Sequence, residues 1–164
     1  MVHIRPIQKE DALELRKVLD AVSRERRYLG RLEAPPEDRF CAFIESIVES
    51  GHSQFVGEED GQIIGWCDAL PGTASTGTAH VGHLGMGVLK TFRGKGLGRR
   101  LAEATIEKAR ALGLEKIELS VYSSNDAAIA LYRNLGFREE GRKVRGRLVD
   151  GIYDDVILMG LALI

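Results

Sequence analysis

Cysteine is scarce in this chain of 164 residues, with only Cys41 and Cys67. They form no C-x-x-C pair, which excludes the simplest thiol-redox and zinc-ribbon signatures, and both are read as small buried side chains rather than a disulfide. Proline is rare as well, four residues, each at a place where a regular element should begin or end: Pro6, the Pro35-Pro36 pair and Pro71. No apolar run approaches bilayer length, and no basic-then-apolar segment opens the chain. Neither sign of charge dominates, since 23 Lys and Arg face 24 Asp and Glu for a formal net charge of −1. That balance gives no general attraction for nucleic acid or an anionic membrane. A soluble, cytoplasmic protein of one domain over residues 1–164 is expected, with neither kind of partner.

Glycine is abundant, 19 residues, and it crowds the stretch from Gly82 to Gly98. This stretch reads as a glycine-laced strand, a tight loop and the first turn of a helix. Glycines have no side chains to block approach, so the backbone N–H groups of Arg93-Gly94-Lys95-Gly96-Leu97-Gly98 can converge on one acceptor. The following helix adds its unpaired N–H groups and positive dipole end. The product is an anion site, most naturally for phosphate or diphosphate. A dinucleotide fingerprint from Gly94 would need glycine where Arg99 stands, and a P-loop would need one where Leu89 stands. The pattern that fits is R-x-x-G-x-G, as Arg93, Gly96 and Gly98.

Around this stretch the elements fall in order. Val2–Arg5 alternates as an edge strand. Ala12, Leu15, Leu19 and Val22 predict a helix over about 9–23. Phe40, Phe43, Ile44, Ile47 and Val48 predict a second helix after Pro35-Pro36, ended by Gly51. Two strands flank the turn Asp60-Gly61. The segment 71–78 is a turn-rich loop, and Ala79–Val88 is the central strand. A helix over about 97–112 directs Leu101, Ala102, Thr105, Ala109 and Leu112 inward. Lys116–Tyr122 alternates as a strand, 127–135 is a short helix, and two strands pair about Asp150-Gly151. The glycine strand, its helix and the next strand form a parallel βαβ unit.

The loop resembles the acyl-CoA diphosphate loop of the GCN5-related N-acetyltransferase (GNAT) superfamily. Asn125, Ala128, Leu131, Tyr132, Leu135, Gly136 and Phe137 resemble that superfamily's second block, N-x-x-A-x-x-x-Y-x-x-x-G-F. The resemblance implies an α+β fold, a mixed but mainly antiparallel sheet flanked by about four helices in three layers, α/β/α. It implies acetyl-CoA as cosubstrate, without a metal. The diphosphate would meet Arg93, Gly94, Lys95, Gly96, Leu97, Gly98 and Arg99, and pantetheine would run along Met86, Gly87 and Val88 and near Asn125. Tyr132 would face the sulfur as proton donor, being a suitable acid for a thiolate whose conjugate acid lies near ~8.5. The acceptor would be a primary amine of a small molecule or amino acid. A protein N-terminus or lysine is the alternative, and a CoA-binding sensor without catalysis is a third reading. A homodimer is expected by family habit only.

For the acceptor side, Tyr28 and Glu33 lie in an irregular segment between helices, and Trp66 is either core filler or a wall of the acceptor site. The base is open. In many relatives a glutamate or histidine sits near the position of Gly82, which has no side chain. His80, His83, Glu33, Asp68 and Asp154 are the candidates. His80 and His83, three apart on a strand, point to opposite faces and make a poor chelating pair. The glycines of the strand have two readings: a bulge packed on another backbone, or room for a ligand lying along it.

Overall fold

The computed structural model describes residues 1–164. Seven strands make one sheet: β1 (His3–Pro6), β2 (Ser53–Glu59), β3 (Gln62–Pro71), β4 (Val81–Val88), β5 (Lys116–Tyr122), β6 (Arg138–Val149) and β7 (Ile152–Ala162). Four helices flank it: α1 (Ala12–Arg24), α2 (Glu37–Ser50), α3 (Leu97–Ala111) and α4 (Asp126–Asn134). The strand order is β1-β2-β3-β4-β5-β7-β6, and every neighbouring pair is antiparallel except β4 and β5. This is the α+β, mainly antiparallel arrangement expected, with Pro6 ending the edge strand.

Local chemistry sets the boundaries. Asp60-Gly61 and Asp150-Gly151 all take positive φ, as two-residue hairpin turns require. Gly51, at φ 67°, stops α2 in the left-handed region. The first helix begins three residues later than its periodicity suggested, because Lys9–Asp11 form a 3-10 turn before α1. There the Asp11 carboxylate accepts from the Gln8 amide and from Arg5.

The two faces of the sheet carry different cores. On one face α1 and α2 pack Leu15, Val22, Phe40, Ile44 and Ile47 against Val56 and Trp66. On the other, α3 packs Leu97 and Leu101 against Ile64 and Cys67, while Ile129 and Tyr132 of α4 meet Ile117, Leu119 and Val121. Each such side chain, fully buried, contributes about 1.5–3 kcal/mol. Three expected core positions differ. Leu112, past the last turn of α3, is exposed, and Ile106 takes its place inside. Phe43 is also exposed, at the margin of the α2 stripe. Cys41 is half-buried, while Cys67 is sealed and its thiol pushed up by that burial; both are free.

The feature that positions the site is a short ladder. β4 and β5 pair at Val81↔Lys116, Gly82↔Ile117 and His83↔Glu118 and then part. β4 itself stays paired to β3 without a bulge as far as Val88. A wedge-shaped gap therefore opens beyond His83.

Candidate active site

A cleft of about 1160 Å³ runs through that gap. Its walls come from β4, β5, the loop before α3, α4 from its N-terminus to Tyr132, the end of α1 with the segment after it, and a few residues of β6 and β7. The hydrogen bonds from Leu89 N–H to Ile64 O and from Gly72 N–H to Val81 O show which way the main chain of β4 points. Odd-numbered residues turn their backbone groups to β3. Met86 and Val88 turn theirs into the gap.

At one end of the cleft lies the loop 93–98. Gly94 and Gly96 hold φ values of 75° and 82°, with open space where a Cβ would be. The backbone N–H groups of Gly94 through Arg99 have no acceptor in the chain. The first intrahelical bond is donated by Arg100 to Gly96 O at 3.2 Å. Arg93 does something different from what was expected of it. Its amide donates to Lys90 O at 3.3 Å, so the run of free donors begins at Gly94. Its guanidinium donates to Val88 O at 2.8 Å and to Glu25, and lies over the Tyr28 ring at 4.6 Å. Arg93 thus ties the loop to the end of β4 and to the end of α1. Lys95 is not among the residues lining the cleft, and its ammonium lies 5.8 Å from the Phe92 ring centre. These unpaired amides, on glycines and at a helix N-terminus, fit a diphosphate group by their chemistry.

On the α3/α4 side, Asn125 caps α4 by accepting from Ala128 N–H at 3.2 Å, and it lines the cleft. Tyr132 lines it about two turns further along the same face of α4, its ring edge-on to Phe137 at 5.6 Å. Tyr132 is only 7% exposed, and burial raises its phenol well above the usual value, so it stays protonated.

On the opposite face the cleft is a chamber. Its sides are His83, Gly85 and Gly87 of β4 and Glu118, Ser120 and Tyr122 of β5. Its roof is Arg27–Gly30, held down by Arg147, which donates to Arg27 O and Leu29 O and stacks on Tyr122 at 4.0 Å. Sequence reasoning missed the β5 side, although Glu118, Ser120 and Tyr122 alternate with Ile117, Leu119 and Val121 as a strand with one polar face would.

The glycines of β4 acquire a packing reason. A Cβ on Gly87 would collide with the Trp66 indole, and one on Gly85 would sit 3.4 Å from Asp68 Oδ1. Neither lies at a bulge.

The structure separates the other candidates. Tyr28 lines the chamber, whereas Glu33, Trp66 and Asp68 line a second cavity beside it. Of the five candidate bases, His83 alone faces the chamber. Asp68 abuts it behind Gly85, its carboxyl pushed up to about 7 by burial, against the Gly85 amide and Trp66 indole that favour the charged form. His80 sits in an exposed turn before β4. Glu33 is 73% exposed and pairs with Arg24 at 3.6 Å. Asp154 is taken up in holding the loop after β5, accepting from Ser123 Oγ and Ser124 N–H.

The comparisons with known proteins point the same way. A profile of the acetyltransferase (GNAT) family matches residues 16–137. An N-alpha-acetyltransferase of Sulfurisphaera tokodaii is 30% identical over 147 residues, 82% of this chain and 84% of that protein. An L-methionine sulfoximine/L-methionine sulfone acetyltransferase of Pseudomonas aeruginosa is 42% identical over 71 residues, 43% of this chain and 41% of its own length. The solved structure of yncA from Salmonella typhimurium, with its cofactor acetyl-CoA, superposes with a TM-score of 0.92 at 24% identity, covering 100% of this chain and 95% of that one. With the splayed β4/β5 pair, the glycine loop and the Asn125–Tyr132 helix in one cleft, the chain belongs to the acetyltransferase (GNAT) family.

Proposed function

We propose that the protein transfers an acetyl group from acetyl-CoA to the primary amine of a small molecule or amino acid, by direct attack. The observation that carries this reading is the cleft with two unlike ends. Six successive unpaired amides, Gly94–Arg99, lie at one end, and a roofed polar chamber lies at the other. Acetyl-CoA, bound along Met86–Val88, supplies a thioester acetyl and a thiolate leaving group. Gly94–Arg99 bind its diphosphate through N–H groups. Met86 offers its N–H to the carbonyl oxygen as charge gathers there. Tyr132 holds a proton at Oη for the departing sulfur, and burial, by raising its pKa, keeps that proton in place across the neutral range. A lysine-like amine has a pKa near ~10.4 and must lose a proton before it attacks. His83 and Glu118, the last rung before the gap, flank the chamber where that amine arrives.

The roof favours a small acceptor over a protein N-terminus. Arg147 closes it from β6, and Arg26 pairs with Asp150 of the hairpin turn at 2.9 Å. An exposed peptide chain needs an open groove there. The homodimer expected from the resemblance has an apolar surface available on the terminal hairpin, where Val144, Leu148 and Ile152 are exposed. Light scattering after size exclusion measures it directly.

The test is release of free CoA thiol from acetyl-CoA across a panel of amines and amino acids. Amine-dependent release with recovery of the N-acetylated product is expected. Cofactor binding without release for any amine would leave the sensor reading in its place.

A further inference from the structure

Beside the chamber, and not part of it, lies a second cavity of about 530 Å³ between α1, α2 and the sheet. That volume is within the range of small-molecule sites. Leu15, Leu19, Phe40, Phe43 and Trp66 give it apolar sides. Its floor is polar. Gln54 of β2 and Asp68 of β3 are direct cross-strand partners, so their side chains share this face of the sheet. Gln54 is 3% exposed, yet its Oε1 has no hydrogen-bond partner. A buried amide left so costs roughly 1–3 kcal/mol. A fold keeps such a group where something else completes it, and rotation of the amide presents either its carbonyl or its NH₂. Asp68 next to it is a half-buried carboxyl, the natural counter-charge for an ammonium group.

The rim has the opposite sign. Arg31, from the loop after α1, and Arg39, from the first turns of α2, line the opening, and neither is engaged in an ion pair. Glu33 is the remaining charged group there, and it is turned to Arg24. A floor that accepts N–H donors, apolar sides and a cationic rim match the three parts of one kind of molecule. We propose that this cavity binds a free amino acid with an apolar side chain, its ammonium at Gln54 and Asp68 and its carboxylate at Arg31 and Arg39.

Such a ligand has two possible sources. It is the acceptor itself, held behind Gly85 before its amine enters the chamber, or it is a separate effector. Only the first depends on the acetyltransfer reading above.

The experiment is calorimetric titration of the full chain, without acetyl-CoA, by L-phenylalanine, by 2-phenylethylamine, which lacks the carboxylate, and by N-acetyl-L-phenylalanine, which lacks the ammonium. Saturable binding of L-phenylalanine is expected, at least about tenfold tighter than either truncated probe. Gln54→Leu and Arg39→Gln should each weaken it about fivefold or more. Arg39 is exposed, so that variant tests the cavity even if the core substitution disturbs folding. No saturation by millimolar concentrations, or binding indifferent to both substitutions, overturns the proposal. Mass spectrometry after addition of acetyl-CoA then assigns the source: N-acetylphenylalanine marks the acceptor, and unchanged, still-bound phenylalanine marks an effector. Because binding is read without acetyl-CoA, failure of the cavity leaves amine-dependent thiol release untouched, and failure of thiol release leaves the titration untouched.

Discussion

A phenol and a carboxylic acid, on opposite sides of β4, have been pushed by burial in the same direction with different effects. For Tyr132, whose ordinary value is near ~10, the upward shift keeps the proton on through the neutral range. Tyr132→Phe keeps the ring against Phe137 and loses only the hydroxyl, so kcat should fall roughly 10²-fold with little change in cofactor affinity. A pre-steady-state measurement of thiol release checks this, and unaltered turnover would remove Tyr132 from the chemistry. For Asp68, a folded-state value of about 7 lies above the unfolded value of 3.8. The folded protein therefore binds that proton more tightly than the unfolded chain does. Stability from this group is present below about pH 4 and is lost as pH rises towards 7. Asp68→Asn should have little effect at about pH 3.5, below the unfolded value, and stabilise at pH 8, by about 1–3 kcal/mol within a ceiling of about 4 kcal/mol. Urea melts at the two pH values read the difference directly. The identity of Tyr132 as a cleft residue was legible from its motif. The position of Asp68 was not, because alternation along β3 says that it shares a face with Trp66 but not that the α1–α2 loop leaves a cavity over it.

Elements explain why the loop before α3 is so glycine-rich. Gly96 is the N-cap of α3 in the left-handed region, and no side chain caps the helix. An alanine there takes on about 1–2 kcal/mol of strain and pulls the free amides out of register. Gly96→Ala should weaken acetyl-CoA binding about tenfold or more, by titration, while leaving the sheet intact. Gly87→Ala acts elsewhere. It drives a methyl into the Trp66 indole and should cost about 1–3 kcal/mol of stability, visible in urea melts, before any effect on binding. Turn chemistry and helical periodicity carried most of the element boundaries, since Asp-Gly, Pro-Pro and Gly51 act locally. They could not show that Arg93 is consumed in tying three elements together. Its partners, Val88 O, Glu25 and Tyr28, come from parts of the chain joined only by folding. Nor could they place Leu112 outside, because one residue past the end of a helix the periodicity no longer applies.

For the whole molecule, ligand binding adds to stability by mass action. Acetyl-CoA at one hundred times its dissociation constant should contribute about 2.7 kcal/mol, which for a chain of this size means a rise in Tm of roughly 5–11 °C. Differential scanning calorimetry with and without cofactor checks that, and at the same cofactor concentration a tenfold weaker Gly96→Ala should keep only about half of the shift. The order of strands was only partly legible. The parallel crossover followed from a strand-helix-strand run, but the insertion of β7 between β5 and β6 rests on long-range pairing that no local signal encodes. The three-rung ladder between β4 and β5 has a further consequence. Along one strand, adjacent backbone protons live in different worlds. Those of Gly85 and Gly87 are locked to β3, and those of Met86 and Val88 face the wedge. In deuterated buffer the label should enter β4 in a sawtooth, fast at 86 and 88 and slow at 85 and 87. Bound cofactor should flatten the sawtooth at Met86 first.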